Sequence, residues 1–371
     1  MPRLRILADD LTGALDCAAA FGAGIPVHLA QPPAQDEAPV SIVATATRDI
    51  APADLPAHLA SCVPWLAQAD IAFKKVDSLL RGNTFDELDH VARAGRFAGL
   101  ALAPAFPGQG RITVEGMQCI VRDGQAPVPV DAPPMPQALA ARGWTIHTGV
   151  ATPALEDRLA VAWVPELRDD DGLTAVARVA LGRTASRWLW AGSAGLAGAL
   201  SRLMQPATSS LQGEGQAGAR RIMLVSASHH PVTRSQWQAL RQSRHAADCH
   251  DGAEPSRLLA QGEDYPRLID LSPRERITAQ EAASLLATQM KALAQHAPQP
   301  DELVLVGGDT LLALCQALGV QALMSHHPMN RSGWGCARMV GGRWNGLVCH
   351  TRSGAFGQAG ELVEVLDTLA A

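Results

Sequence analysis

Lysine is nearly absent from this chain. Among 371 residues there are three, Lys74, Lys75 and Lys291, and 28 of the 31 basic residues are arginine. No Gly-Lys pair occurs, which excludes the G-x-x-x-x-G-K-[ST] phosphate loop. Aromatic residues make up 4% and Tyr265 is the lone tyrosine, so a base-stacking platform for nucleic acid is not expected. A formal net charge of -5 argues against a duplex-DNA partner, which demands a basic surface. No apolar run approaches the roughly 18 residues that would span a bilayer. The seven cysteines are odd in number and form no C-x-x-C, which suits reduced thiols better than a disulfide framework. The start, MPRLRILADD, reaches acidic residues too early for a signal peptide. These absences predict a cytoplasmic protein with neither a nucleic-acid nor a membrane partner.

What is present is a globular composition, 47% hydrophobic and 18% charged, on a chain long enough for about two domains. Short apolar runs alternate with helix-like stretches. Leu4 to Ala8, Ser41 to Ala44, Ile71 to Val76, Leu100 to Ala103 and Trp188 to Ala191 read as buried strands, with helices such as Gly13 to Phe21 and Phe85 to Ala94 between them. Gly124 to Pro136 reads as a long Pro- and Asp-rich loop. Residues 206–219 are small and polar and read as a linker. The alternation then resumes through Arg221 to Val225, Arg267 to Leu271 and Glu302 to Val306, a helix from Thr310 to Leu318, two strands near Ala337 to Val340 and Leu347 to His350, and a helix from Ala359. The pattern predicts βαβ units: two α/β domains with mostly parallel sheets, residues 1–205 and 220–371, and a ligand cleft between them.

Chemistry-bearing residues collect where predicted strands end, the place at which doubly wound sheets bind ligands. Asp9 and Asp10 end the first strand, and Thr12-Gly13 opens a helix. Carboxylates there accept hydrogen bonds from a polyol, act as general base or hold Mg²⁺; the plain alternative is a helix cap. The order Asp9-Asp10-Leu11-Thr12 fails the D-x-D-x-T phosphatase start. Lys74-Lys75-Val76-Asp77-Ser78-Leu79-Leu80-Arg81-Gly82-Asn83 puts two of the three lysines at one strand end beside an arginine suited to carboxylates or phosphates. Ala103 to Arg111 is a Pro- and Gly-rich loop that presents Arg111.

Ser226-Ala227-Ser228-His229-His230 follows a strand and precedes a helix, a natural phosphate site. Adjacent histidines on a loop are poor joint ligands for one metal ion. Val306-Gly307-Gly308-Asp309-Thr310 lets backbone approach an anion at a helix start, with a tight capped turn as the alternative. Arg352-Ser353-Gly354-Ala355-Phe356-Gly357 is another Gly-rich strand exit. Gly213 to Gly218 matches G-x-G-x-x-G, but it precedes a strand instead of following one, so it is no dinucleotide fingerprint. No nucleophile elbow or Cys-His protease arrangement is present.

In this order the segments ADDLTGA, K-x-D-S-x-x-R-G-N, PAFPGQGR, AGSAGLA, S-x-S, VTRSQ, GGDT and SGAFG resemble the four-carbon acid sugar kinase family, which includes kinases for D-threonate, D-erythronate and 3-oxo-tetronate. The resemblance implies an N-terminal acid-sugar domain, a C-terminal ATP domain, and Mg²⁺-assisted phosphoryl transfer to the terminal (C4) hydroxyl. It implies catalytic roles for Asp9 and Asp10 and substrate contacts from Thr12, Arg48, Lys75, Asp77, Ser78, Arg81, Gly82 and Asn83. It implies nucleotide contacts from Ser226, Ser228, Gly307, Gly308, Asp309, Thr310 and Gly354. Four positions depart from the family pattern: Leu79 stands where Thr is usual, Ala227 for Gly, His230 for Ser and Arg352 for Lys. A non-catalytic member that binds an acid sugar as a regulatory module is the second reading, and a homodimer is left open.

Overall fold

The computed structural model describes residues 2–122, 124–149, 160–182, 187–204, 221–251, 267–273, 275, 277–326 and 334–370. The expected linker and the Gly213 to Gly218 decoy lie outside them. The chain divides into two compact units, Met1–Thr208 and Ser209–Ala371.

The first unit carries strands β1 (Leu4–Ala8), β2 (Pro26–Leu29), β3 (Val40–Ala44), β4 (Ile71–Lys75), β5 (Gly99–Ala103), β6 (Arg111–Val114), β7 (Met117–Ile120), β8 (Val128–Pro129), β9 (Thr145–Thr148), β10 (Val161–Val164) and β11 (Trp188–Gly192). Its helices are α1 (Leu11–Phe21), α2 (Leu55–Leu59), α3 (Cys62–Ala67), α4 (Thr84–Ala94), α5 (Met135–Ala140), α6 (Asp170–Gly182) and α7 (Ala194–Met204). The main sheet runs β2-β3-β1-β4-β11-β5-β10-β9, and every pairing between these strands is parallel. Every residue of β1, β3, β4, β5 and β11 is buried. Helix-covered parallel strands lose both faces to the core, so they read as continuous apolar runs instead of alternating ones. Leu7, Val43, Phe85, Leu88 and Leu100 belong to one core cluster that α4 and its neighbours close.

The connections fix the site. β1 leads through α1 to β2 on one side of the sheet, and β4 leads through α4 to β5 on the other. β1 and β4 are neighbours. The crevice outside their carboxyl ends is therefore a topological switch point.

The second unit repeats this logic with β12 (Ile222–Ser226), β13 (Cys249–Asp251), β14 (Arg267–Asp270), β15 (Glu302–Val306), β16 (Ala322–Ser325), β17 (Gly335–Val340) and β18 (Val348–Arg352). Its described helices are α8 (Pro231–Arg241), α9 (Ala279–His296), α10 (Gly308–Leu318) and α11 (Glu361–Ala370). The strand order is β13-β14-β12-β15-β18-β17-β16. β12 leads out to β13 on one side and β15 to β16 on the other, so the switch point falls between β12 and β15.

Two expectations change. The strands near the end of the chain pair antiparallel, β17 with both β16 and β18, since an apolar run carries no sign of its direction. The expected loop at Gly124 to Pro136 contains β8 and the start of α5, and β8 pairs with β7, which forms a hairpin with β6. Its proline-rich strand escaped a reading that treats proline as a breaker, but an edge strand tolerates proline.

Candidate active site

Asp9 and Asp10 leave β1 and enter the switch point of the first unit. Asp10 is the N-cap of α1: its Oδ1 accepts the Gly13 N–H at 3.1 Å. Arg48, on the loop after β3, donates from Nε to Asp9 Oδ2 at 2.8 Å and from Nη2 to Asp10 Oδ1 at 2.7 Å. One guanidinium thus orients both carboxylates, a task its planar fork suits. Burial works against the charge of Asp9, but Lys74, Arg48 and Lys75 outweigh it and hold the carboxyl below its ordinary range. Asp9 Oδ1 is buried without a hydrogen-bond partner.

The loop after β4 is folded against Arg48. A Cβ on Gly82, whose φ is +76°, would lie 2.5 Å from Arg48 Cγ and 2.6 Å from its carbonyl oxygen, so glycine alone permits this approach. Asn83 donates from Nδ2 to the carbonyls of Thr47 at 3.0 Å and Ile50 at 2.7 Å. Gly82 and Asn83, expected as substrate contacts, hold the Arg48 loop in place. Asp77 receives both ends of the Arg81 fork, at 2.7 and 2.8 Å, and the N–H groups of Leu79 and Arg81. Burial pushes its carboxyl up, but the Arg81 bonds prevail and its pKa falls to about 2. A depressed carboxyl pKa stabilises the fold above the unfolded value, and that stability is lost as pH falls through the folded value. Asp77→Asn is expected to lower stability by about 2 kcal/mol at pH 7, a difference that disappears between about pH 4 and pH 2; denaturant titrations at both ends check it.

The two site lysines have separate fates. Lys75 is buried, at 5% exposure, and its ammonium makes no hydrogen bond or ion pair among the described residues. Burial lowers its pKa, but Asp10 and Asp9 raise it more, so the ammonium stays charged. A Cβ on Gly13 would lie 2.4 Å from Lys75 Nζ and 2.5 Å from Asp10 Oδ1, which makes the two groups neighbours. Lys74 points under the site: its Nζ donates to the Lys75 carbonyl at 3.0 Å and lies 3.1 Å from Glu87 Oε1 on α4. Thr12 and Ser78 are half-buried near the same strand ends.

The sequence pattern does not single out Glu87, Thr45, Thr47 or Gln118 as site residues. Gln118 on β7 donates from Nε2 to the Ser78 carbonyl at 2.8 Å and the Pro104 carbonyl at 3.3 Å, and its Oε1 accepts from Thr113 at 2.9 Å. The hairpin thereby steadies the Ser78 loop. Arg111, the first residue of β6, feels the charges of Asp77, Arg122 and Arg81, and its Nε is buried and unpartnered.

In the second unit Ser226, Ser228, Gly307 to Thr310 and Gly354 all gather at the switch point. Gly307 (φ +110°) caps α10 and donates its N–H to the Arg352 carbonyl at 2.9 Å. Thr233 donates to the Gly354 carbonyl at 2.7 Å. A Cβ on Gly354 would lie 2.2 Å from Ser228 Oγ. Gly354→Ala therefore displaces Ser228 and Thr233 from the loop. His230 fills the cap position of α8, its Nδ1 accepting the Val232 N–H at 3.3 Å. Arg352, in the position of the family lysine, is buried 2.8 Å from Glu361 with its guanidinium over Trp334 at 5.1 Å. It presents no exposed cation, so the crevice offers anions backbone N–H groups and hydroxyls. The lone lysine of this unit, Lys291, is exposed on α9.

The chain thus folds into two doubly wound α/β units, one with two carboxylates beside a buried ammonium and one with glycines at a helix start. Residues 4–141 match the model of the sugar-binding N-terminal domain. A D-threonate kinase of Bordetella bronchiseptica is 30% identical over 99% of this chain and 98% of its own length. A D-threonate kinase of Cupriavidus necator is 39% identical over 32% of this chain and 30% of its own. The chain belongs to the four-carbon acid sugar kinase family. A solved structure from Salmonella typhimurium LT2 shares the fold, with a TM-score of 0.73 at 18% identity over 98% of this chain and 99% of its own. No described helix is long and apolar enough to cross a membrane.

Proposed function

We propose that the protein is an ATP-dependent kinase that phosphorylates the terminal (C4) hydroxyl of a four-carbon acid sugar of the threonate, erythronate or 3-oxo-tetronate class. The observation that carries this reading is the juxtaposition of the Asp10 carboxylate and the Lys75 ammonium across Gly13 at one switch point. A hydroxy acid needs both groups: an acceptor for its hydroxyl and a positive charge for its anionic oxygens.

Asp10 is the more exposed aspartate, its side chain 23% exposed against 5% for Asp9. Asp10 orients the attacking hydroxyl and accepts its proton, while Asp9 anchors Arg48 behind it. Lys75 binds the substrate's anionic oxygens, and Arg81, which keeps Nη1 free of protein partners among the described residues, adds a second contact. Arg48, expected as a third carboxylate contact, instead acts on the substrate through the two aspartates.

On the second unit, Gly307 and Gly308 bring backbone N–H groups to a phosphate at the α10 start, with Ser226, Ser228 and Thr310 beside them. Gly354 leaves room for the approach that a Cβ would fill. Among the described residues no cluster of three His, Cys, Asp or Glu is placed for a metal. Mg²⁺ bound with a nucleotide needs only one or two carboxylates, and Asp309 is the residue that would hold it. ATP supplies the transferable phosphoryl group, and Mg²⁺ offsets its charge.

A coupled ADP-release screen over four-carbon acids tests the reading: one acid must stimulate release well above background. The buried Arg352 favours a second reading, a member that binds the acid without transferring phosphate. Calorimetry separates the two, since ATP or ADP binding at millimolar concentration is required of the kinase alone.

A further inference from the structure

A line of buried polar groups crosses beneath the site. It begins at the Ala8 carbonyl, the last residue before Asp9. Thr45 Oγ1 lies 2.9 Å from that oxygen, Thr47 Oγ1 lies 2.7 Å from Thr45 Oγ1, and Glu87 Oε1 lies 2.7 Å from Thr47 Oγ1. Lys74 Nζ meets the same Glu87 oxygen at 3.1 Å and closes the line on the Lys75 carbonyl. Exposure of these side chains does not exceed 6%. The line thus ties the strand ends that present Asp9 and Lys75.

Protons can be counted along it. Three oxygen–oxygen contacts separate the Ala8 carbonyl from Glu87, each at hydrogen-bond distance, and the Ala8 carbonyl also accepts the Thr45 N–H at 2.9 Å. Thr45 and Thr47 carry one hydroxyl hydrogen each. With Glu87 ionised, two hydrogens serve three contacts and one pair of buried oxygens faces lone pair to lone pair. With Glu87 protonated, Glu87 donates to Thr47, Thr47 to Thr45 and Thr45 to the Ala8 carbonyl, and every contact is filled.

We propose that Glu87 carries a proton at neutral pH, so that the charge of Lys74 acts on the carboxylate of Asp9. Burial is also the dominant influence on Glu87 and pushes its pKa up, against Lys74 and the Thr47 contact. The groups facing Glu87 are Lys74, Thr47 and Asp9, and those facing Asp9 are Lys74, Lys75, Arg48, Asp10 and Glu87. Lys74 is the largest of the charges that favour Asp9 ionised. Glu87 and Lys74 are positioning residues, and their importance for turnover rests on the kinase reading above.

The test uses the free full-length protein and needs no substrate. Carboxyl carbon NMR of ¹³C-labelled protein is expected to show Glu87 protonated at pH 7, with an infrared carboxylic-acid band that Glu87→Gln removes. Glu87→Gln is expected to leave the Asp9 titration unmoved, because one neutral group replaces another. The double variant K74M/E87Q is expected to raise the Asp9 titration by about one pH unit. An ionised Glu87 at pH 7 overturns the proposal, as does a downward move of Asp9 in Glu87→Gln. If the double variant does not fold, the Glu87 signal of the unaltered protein decides alone. A failed ADP-release screen sinks the kinase reading and leaves these titrations as they are.

Discussion

Asp10→Asn is expected to fold normally and to lose about a thousandfold in phosphoryl transfer. Asparagine is as good an N-cap as aspartate, and its oxygen still accepts the Gly13 N–H that Asp10 Oδ1 receives at 3.1 Å. The cost to stability is expected below about 1 kcal/mol, because only the charge in the Arg48 fork is lost and Asp9 keeps its own bond at 2.8 Å. What disappears is the proton acceptor. An amide cannot take the hydroxyl proton, so kcat falls while KM for the acid changes severalfold at most. Thermal melting and ADP release on one preparation check both halves, and a variant with near-normal rate removes Asp10 from the mechanism.

The second large effect is on binding. Lys75→Met keeps the length and volume of the side chain within the space that Gly13 leaves, and deletes the ammonium. A charged hydrogen bond to a bound anion is worth about 2–3 kcal/mol, so affinity for the acid is expected to fall by about a hundredfold. Nucleotide affinity, which the proposal assigns to the second unit, is expected to stay within twofold. Calorimetry with each ligand separately reads the difference. Unchanged affinity for the acid contradicts the assignment of Lys75.

Much of this site was legible because strand ends are chemically loud. Apolar runs that stop at Asp9-Asp10, Lys75-Val76-Asp77 and Val306-Gly307-Gly308 announce both the parallel sheet and its ligand edge. What stayed hidden is partnership. Arg48, Lys75 and Arg81 look alike in a sequence as three cations near one edge. In the fold, Arg48 is committed to two aspartates and Arg81 to Asp77, and the Lys75 ammonium makes no hydrogen bond or ion pair among the described residues. Glu87 reads as an ordinary charge in the first turn of an amphipathic helix, and only tertiary packing turns it inward beside Thr47. Gln118 lies in a hairpin whose short strands give no periodic signal. The same blindness applies to Arg352, whose burial against Glu361 and Trp334 comes from an aromatic and a helix start distant from it in sequence.

The central claim is that the protein transfers a phosphoryl group from ATP to a four-carbon acid. The most direct measurement is ³¹P NMR of ATP, Mg²⁺ and protein with each four-carbon acid in turn. The account predicts ADP together with a new phosphomonoester, formed with an acid of the threonate class and absent with Asp10→Asn. ATP that stays intact with every acid of the class, or ADP that appears at the same rate without acid, contradicts it.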